Sequence, residues 1–138
     1  MGQLIVDTSI WIDCFRGIIN EKTKLVAEGL ARTDRVTITP TILQEVLQGI
    51  RDDAKLERVR TNLLSVSMLR LDPVDAAIGA ADLYRMLRKK GVTIRKPNAC
   101  LIAHYAVFYD LAILHNDSDF DQIARFTALR IALPGQKQ

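Results

Sequence analysis

The chain has 138 residues, 49% of them hydrophobic, and a formal charge of +3 from 19 Lys and Arg against 16 Asp and Glu. That length buries one substantial core and is short for two domains, so residues 1–133 read as a single domain and 134–138 as a loose tail. The longest apolar stretch, residues 101–114, is broken by His104 and Asp110 and falls short of the roughly 18 apolar residues of a membrane span, which, with no basic leader or cleavage site before the first apolar run, predicts a cytoplasmic protein.

Short apolar runs alternate with amphipathic stretches along the chain, the pattern of an α/β domain around a largely parallel sheet. The first predicted strand, 3–6, runs directly into Asp7, and the second, 36–38, into Thr39 and Pro40, an N-cap followed by proline at the first helical position. In the helix that follows, Ile42, Leu43, Val46, Leu47 and Ile50 make the buried stripe, and Glu45 falls roughly 60° outside its edge, at the rim of the sheet. A third strand, 67–71, precedes Asp72 and Pro73, which repeat the capping device with Asp75 in the first turn. The helix over 73–90 carries Val74, Ala77, Ile78, Ala81, Tyr84 and Leu87 at helical spacing and ends in Arg88, Lys89, Lys90 and Gly91. Asn98 after Pro97 marks another helix start and serves as its cap, and strands follow at 112–114 and, as a fifth, at 129–132. Cys14 and Cys100 lie in apolar contexts with no CxxC or His-rich neighbourhood and are expected to be buried thiols.

Ligands of parallel α/β sheets bind beyond the carboxyl ends of the strands. Asp7 ends the first strand there, and Asp117 and Asp119 follow the 112–114 strand across His115 and Asn116. Together with Glu45 these acids suggest a divalent-metal site, because clustered carboxylates repel one another unless a cation bridges them. Each also has a plainer reading: Asp7 as a helix cap, Asp117 and Asp119 as first-turn acids favoured by a helix dipole, Glu45 as a solvated helix flank.

Four segments in order, VDTSIWIDCFRG, TPTILQEVLQG, RKPNACLIA and ILHNDSDFDQIA, resemble the successive motifs of PIN-domain ribonucleases, most closely the VapC-type toxins of prokaryotic toxin–antitoxin pairs, and the likeness covers almost the whole chain. The resemblance implies a three-layer α/β/α sandwich around a mostly parallel four- to five-stranded sheet. It also implies endoribonuclease activity dependent on Mg²⁺ or Mn²⁺, a homodimer, and inhibition by a cognate antitoxin. By position, Asp7, Glu45 and Asp117 match the first, second and fourth family acids, Asp119 an accessory acid, and Ser9 and Asn116 supporting polar residues. The third acid, an aspartate directly before the Cys-Leu-Ile-Ala stretch, is here Ala99. A natural variant with weakened chemistry, or an aspartate replaced to make a toxic nuclease tolerable to its host, accounts for it; the second is the favoured reading. Either way the expectation is weak metal binding and poor cleavage.

An RNA backbone approaches such acids only with positive charge nearby. Arg85, Arg88, Lys89, Lys90, Arg95 and Lys96 form the densest basic stretch and are the candidate phosphate contacts, against the alternative of a solvated helix end. Trp11 and Phe15 could stack on a base or receive an antitoxin residue, but with Ile10 and Cys14 they also form an apolar face suited to a core or a dimer interface. His104 and His115 have no ligand-spaced or nucleophilic partner in the sequence and are not read as catalytic.

Overall fold

A computed structural model describes residues 2–31 and 35–135. Four strands, β1 (Leu4–Val6), β2 (Val36–Ile38), β3 (Ser67–Met68) and β4 (Ala112–Leu114), form a parallel sheet in the order β3-β2-β1-β4. Seven helices flank it among the described residues: α1 (Thr8–Phe15), α2 (Glu21–Ala31), α3 (Pro40–Gln48), α4 (Asp53–Leu64), α5 (Pro73–Lys89), α6 (Pro97–Tyr109) and α7 (Ser118–Phe126). This is the expected α/β/α arrangement. Three strands, LIV, VTI and AIL, are buried throughout, as a parallel sheet covered on both faces requires. Ile5, Val6, Ile38, Ile113 and Leu114 at their centres are fully buried.

Two capping devices act as their sequences suggest. Thr39 Oγ1 accepts from the Ile42 N–H at 3.2 Å, and Asp72 Oδ2 from the Asp75 N–H at 3.0 Å, each before a proline in the first turn. The third start differs: Lys96 is the N-cap residue of α6 and Asn98 lies inside the first turn, because Pro97 takes the first helical position.

Other expectations need correction. The fifth strand is a single parallel bridge, Ile113 to Ile131, fastened by Ile113 N–H to the Arg130 carbonyl at 3.0 Å and Ala132 N–H to the Ile113 carbonyl at 2.8 Å. The third strand stops at Met68, two residues into the predicted span, although Leu69 N–H still reaches the Ile38 carbonyl at 2.8 Å. On α5 the predicted stripe holds only in the second half of the helix: Leu87 is buried and Tyr84 packs on the core, but Val74, Ala77, Ile78 and Ala81 are exposed, and Ala76, Ala80 and Leu83 pack inward instead. The choice follows from size, since α5 meets α6 through small residues, and a Cβ on Gly79 would stand 2.2 Å from His104 Cε1. Cys100 is buried but Cys14 is only half-buried, and both are free thiols. Among the described residues no helix is long and apolar enough to cross a membrane. Of the tail, Pro134 and Gly135 form a turn and 136–138 lie outside the described residues.

Pairing of β1 with β4 sets up the site. Val6 is in register with Leu114, and the Asp7 N–H donates to the Leu114 carbonyl at 2.9 Å, so both chains leave the sheet side by side. A separation of more than a hundred residues in sequence becomes one peptide-to-peptide hydrogen bond.

Candidate active site

At the carboxyl end of the sheet lies a cleft of about 380 Å³ whose wall carries Asp7, Glu45 and Asp117. Thr8, Ser9, Lys96, Asn116 and Ser118 add polar and charged groups to the wall, and Ala99 adds a methyl.

Asp7 stands at the N-cap position of α1, yet its carboxylate makes no capping hydrogen bond. Burial pushes its pKa from 3.8 to about 6; the charges of Glu45 and Asp117 add to the rise, while the Thr8 N–H and Lys96 oppose it. Glu45 reaches the cleft because Thr8 Oγ1 donates to its Oε1 at 2.7 Å across the α1–α3 contact. It is therefore not a free helix flank. Asp117 is the N-cap of α7, one position before the first turn where it was expected: Oδ1 accepts from the Asp119 N–H at 2.9 Å, and Oδ2 lies 3.5 Å from the Lys96 ammonium.

Asp119 departs from expectation. It is buried, is absent from the cleft wall, and its Oδ2 accepts from the Lys96 N–H at 3.3 Å, tying the start of α7 to the start of α6. Ala99, third residue of α6, is buried with its methyl on the cleft wall. With a methyl at that place and Asp119 turned away, no group of three or more His, Cys, Asp or Glu among the described residues is arranged to hold a metal ion. The four-acid cluster expected from sequence is thus an open set of three carboxylates on one wall. Such a set suits a hydrated Mg²⁺, which keeps several waters and takes one or two carboxylates plus substrate oxygens, better than a closed protein cage. Ser9 Oγ points the same way, being a buried oxygen without a hydrogen-bond partner in the cleft.

The sequence pattern of the family described as PIN domain matches residues 4–126. The chain belongs to the PIN-domain family. It is 37% identical over 140 residues to Ribonuclease VapC11 of Mycobacterium tuberculosis, an alignment spanning 94% of this chain and 98% of the relative. Its fold is shared with DNA-bound VapBC from Salmonella typhimurium, at a TM-score of 0.75 and 22% identity over 96% of this chain and 98% of that one. It is shared also with a toxin-antitoxin complex from Klebsiella pneumoniae, at 0.71 and 18% over 98% of this chain and 100% of that one.

Within this PIN domain only Lys96 of the six predicted phosphate contacts lines the cleft. Arg88 lies over the Tyr84 ring, and with Lys89 it occupies the last turn of α5, where cations suit the helix dipole. Trp11 is closed to a base: it is buried, its indole N–H donates to the Val6 carbonyl at 2.9 Å, and its ring stacks on Phe15.

Lys22, which the sequence did not single out, and His115, which it gave no catalytic role, hold the β4–α7 turn of the PIN domain from either side. Lys22 Nζ donates to the His115 carbonyl at 2.6 Å and to Asn116 Oδ1 at 2.7 Å. His115, buried, accepts the Asp117 N–H on Nδ1 at 2.9 Å and places Nε2 3.2 Å from Asp121 Oδ1. Burial holds its pKa below the usual imidazole value against the pull of Asp121. That pattern needs the neutral ring protonated on Nε2, and it fixes the backbone that carries Asp117. The Asp121 spacing, six residues on, was a readable clue to His115; Lys22 lies 93 residues from its carbonyl partner and had none.

Proposed function

We propose that this chain, as a single PIN-like domain over residues 1–133, is a metal-dependent endoribonuclease toxin of the VapC type. In this reading it acts in the cytoplasm, a cognate antitoxin neutralises it, and its chemistry is weakened at Ala99. The observation that carries the reading is the cleft, where Asp7, Glu45 and Asp117 share a wall with the Ala99 methyl. The name of the M. tuberculosis relative supports the ribonuclease class, and the Klebsiella complex the antitoxin partner.

Asp7 and Asp117 would hold Mg²⁺ or Mn²⁺, with Ser9 and Asn116 as polar support. The cation, when bound, supplies positive charge at the phosphate oxygens and a more acidic water. Glu45, oriented by Thr8, accepts the proton of the attacking water as the phosphodiester is opened in line. Asp119 orients the α6 start, and Lys96 meets the approaching backbone from the cleft rim. Ala99 contributes no oxygen, leaving the set one donor short. Below about pH 6 a proton on Asp7 competes with the cation. The expected homodimer belongs to the same proposal, and the exposed Val74 and Ile78 of α5 provide apolar surface for it; a monomer mass independent of concentration removes it.

The test is cleavage of labelled structured RNA with Mg²⁺ or Mn²⁺, comparing this chain with Ala99→Asp and using a chelator as control. Ala99→Asp should cut at least about 100-fold faster, worth about 2.7 kcal/mol of barrier, and the chelator should stop it. The absence of a three-donor group among the described residues favours one other reading, a non-catalytic PIN-like protein that binds RNA or an antitoxin. That reading wins if both chains bind RNA and neither cuts it.

A further inference from the structure

Beside the acidic cleft lies a second pocket, of about 160 Å³, between α1 and residues 49–52, which join α3 to α4. Its wall includes Ile12, Phe15, Arg16, Ile50, Arg51 and Lys55. Ile12 lines both cavities, so one face of α1 leads from Thr8 and Ser9 in the cleft, past Ile12, to Phe15 and Arg16 in the pocket. Seven residues separate Ser9 from Arg16, roughly 10 Å of helix, a separation on the scale of neighbouring nucleotides.

Charge distinguishes the two cavities. Three carboxylates line the cleft, whereas Arg16, Arg51 and Lys55 surround the pocket, and none of these cations has an ion pair or side-chain hydrogen bond among the described residues. The one acid on the pocket wall, Asp52, is spent as the N-cap of α4, its Oδ1 accepting from the Ala54 N–H at 3.3 Å. Arg16 and Arg51 are exposed, and Phe15 is half-buried against Trp11, leaving ring surface toward the pocket. By contrast, Arg85, Arg88, Lys89 and Lys90 line neither cavity.

We propose that this pocket is an RNA subsite, in which Arg16, Arg51 and Lys55 take backbone phosphates and Phe15 takes a base of the nucleotide next to the scissile bond. The proposal rests on the ribonuclease reading and adds to it where the strand runs. An anionic chain held over three carboxylates is repelled there, and cations from the end of α1 and from the α3–α4 connection, set around an apolar floor, offset that repulsion. The aromatic ring provides a contact that tolerates any base, because every base has a π-face.

The experiment is fluorescence anisotropy of a fluorescein-labelled 12-nucleotide single-stranded RNA of mixed sequence, in chelator so that nothing is cut, over a series of salt concentrations. Arg16→Gln/Arg51→Gln should bind at least about tenfold more weakly, with a log K against log salt slope shallower by about 1.4, roughly 0.7 for each phosphate that a single strand no longer has neutralised. Phe15→Leu should weaken binding about fivefold without changing the slope. Arg85→Gln/Arg88→Gln should match the parent. Parent-like affinity and slope in Arg16→Gln/Arg51→Gln would overturn the proposal and leave the pocket to a protein side chain. Failure of the parent to bind RNA at any salt sinks this proposal and the ribonuclease reading together. If binding and slope change as expected but Ala99→Asp never cuts, the ribonuclease reading falls alone and the subsite stands.

Discussion

One helix, α6, borders both the α5 interface and the acidic cleft, and the two regions are finished in opposite ways. Toward α5, the His104 ring occupies the space above Gly79 so fully that even a methyl has no room. Toward the cleft, the Ala99 methyl faces open volume, Ser9 Oγ lacks a partner among the described residues, and Asp7 is held at a pKa of about 6 by burial and by its neighbours' charges. Interiors are normally close-packed and their polar groups paired. The interface follows the first rule, whereas in the cleft a buried Ser9 Oγ departs from the second even though Glu45 and Asp117 have partners, so a closely packed contact and an open polar wall border one helix.

The strongest way to break this contrast is at Asp7. In an Ala99→Asp background, Asp7→Asn should lower RNA cleavage at least about 1,000-fold, about 4 kcal/mol of barrier, while leaving the chain folded; initial rates beside a urea melt report both. A full-rate Asp7→Asn variant would remove Asp7 from the chemistry. On the packed side, Gly79→Val should cost about 2–3 kcal/mol by overpacking. The double variant with His104→Ala should lose less than the sum of the two single changes, because both act on one contact. Additive losses in urea would contradict the contact.

Acid titration sharpens the same comparison. An unfolded Asp7 releases its proton near 3.8, and the folded one near 6. Between those values the folded state binds more protons, so metal-free stability from Asp7 is fully present below about pH 4 and is lost as pH rises to about 6. Two pH units correspond to about 3 kcal/mol, which partial access of water reduces to about 2. His115 acts with the other sign, since its lowered pKa costs stability as pH falls below 6.5. The difference between the parent and Asp7→Asn across a pH series therefore isolates Asp7: the variant should be the more stable chain above pH 6, and equal stabilities there would refute the assignment. The smallest effect is expected at Lys22. Lys22→Met frees the His115 carbonyl and Asn116 Oδ1 and should lower kcat about fivefold, about 1 kcal/mol, with KM little changed; Lys22→Arg should recover part of it. An unchanged kcat would make the contact incidental.

The places of the acids were readable because each is marked locally in the sequence. Asp7 follows an apolar tripeptide, Glu45 sits at a fixed angle from a helical stripe, and Asp117 follows the 112–114 strand across His115 and Asn116. What the order of residues left open depended on distant partners. Asp119 looked like part of the acid set but turns to the Lys96 N–H, 23 residues away. Basic residues at the end of α5 looked like an RNA surface, yet only Lys96 of that group lines the cleft, while Arg16, Arg51 and Lys55 meet around a pocket from two separate segments. The first half of the α5 stripe turned outward for a related reason, because periodicity counts apolar residues and the close approach of two helices selects small ones.

By itself, then, the order of residues determined the α/β class, the capped starts of α3 and α5, the family, and the acids that face the end of the sheet, since periodicity, caps and motif spacing act within a few residues of one another. Only the tertiary structure decided which carboxylates share a wall, that Ala99 stands on it, that Lys22 and His115 clamp the turn bearing Asp117, and which cations line the two cavities. Those outcomes rest on hydrogen bonds and charge separations between segments as far apart as Asp7 and Leu114, and such contacts come into being only when parallel strands pair and the helices close over them.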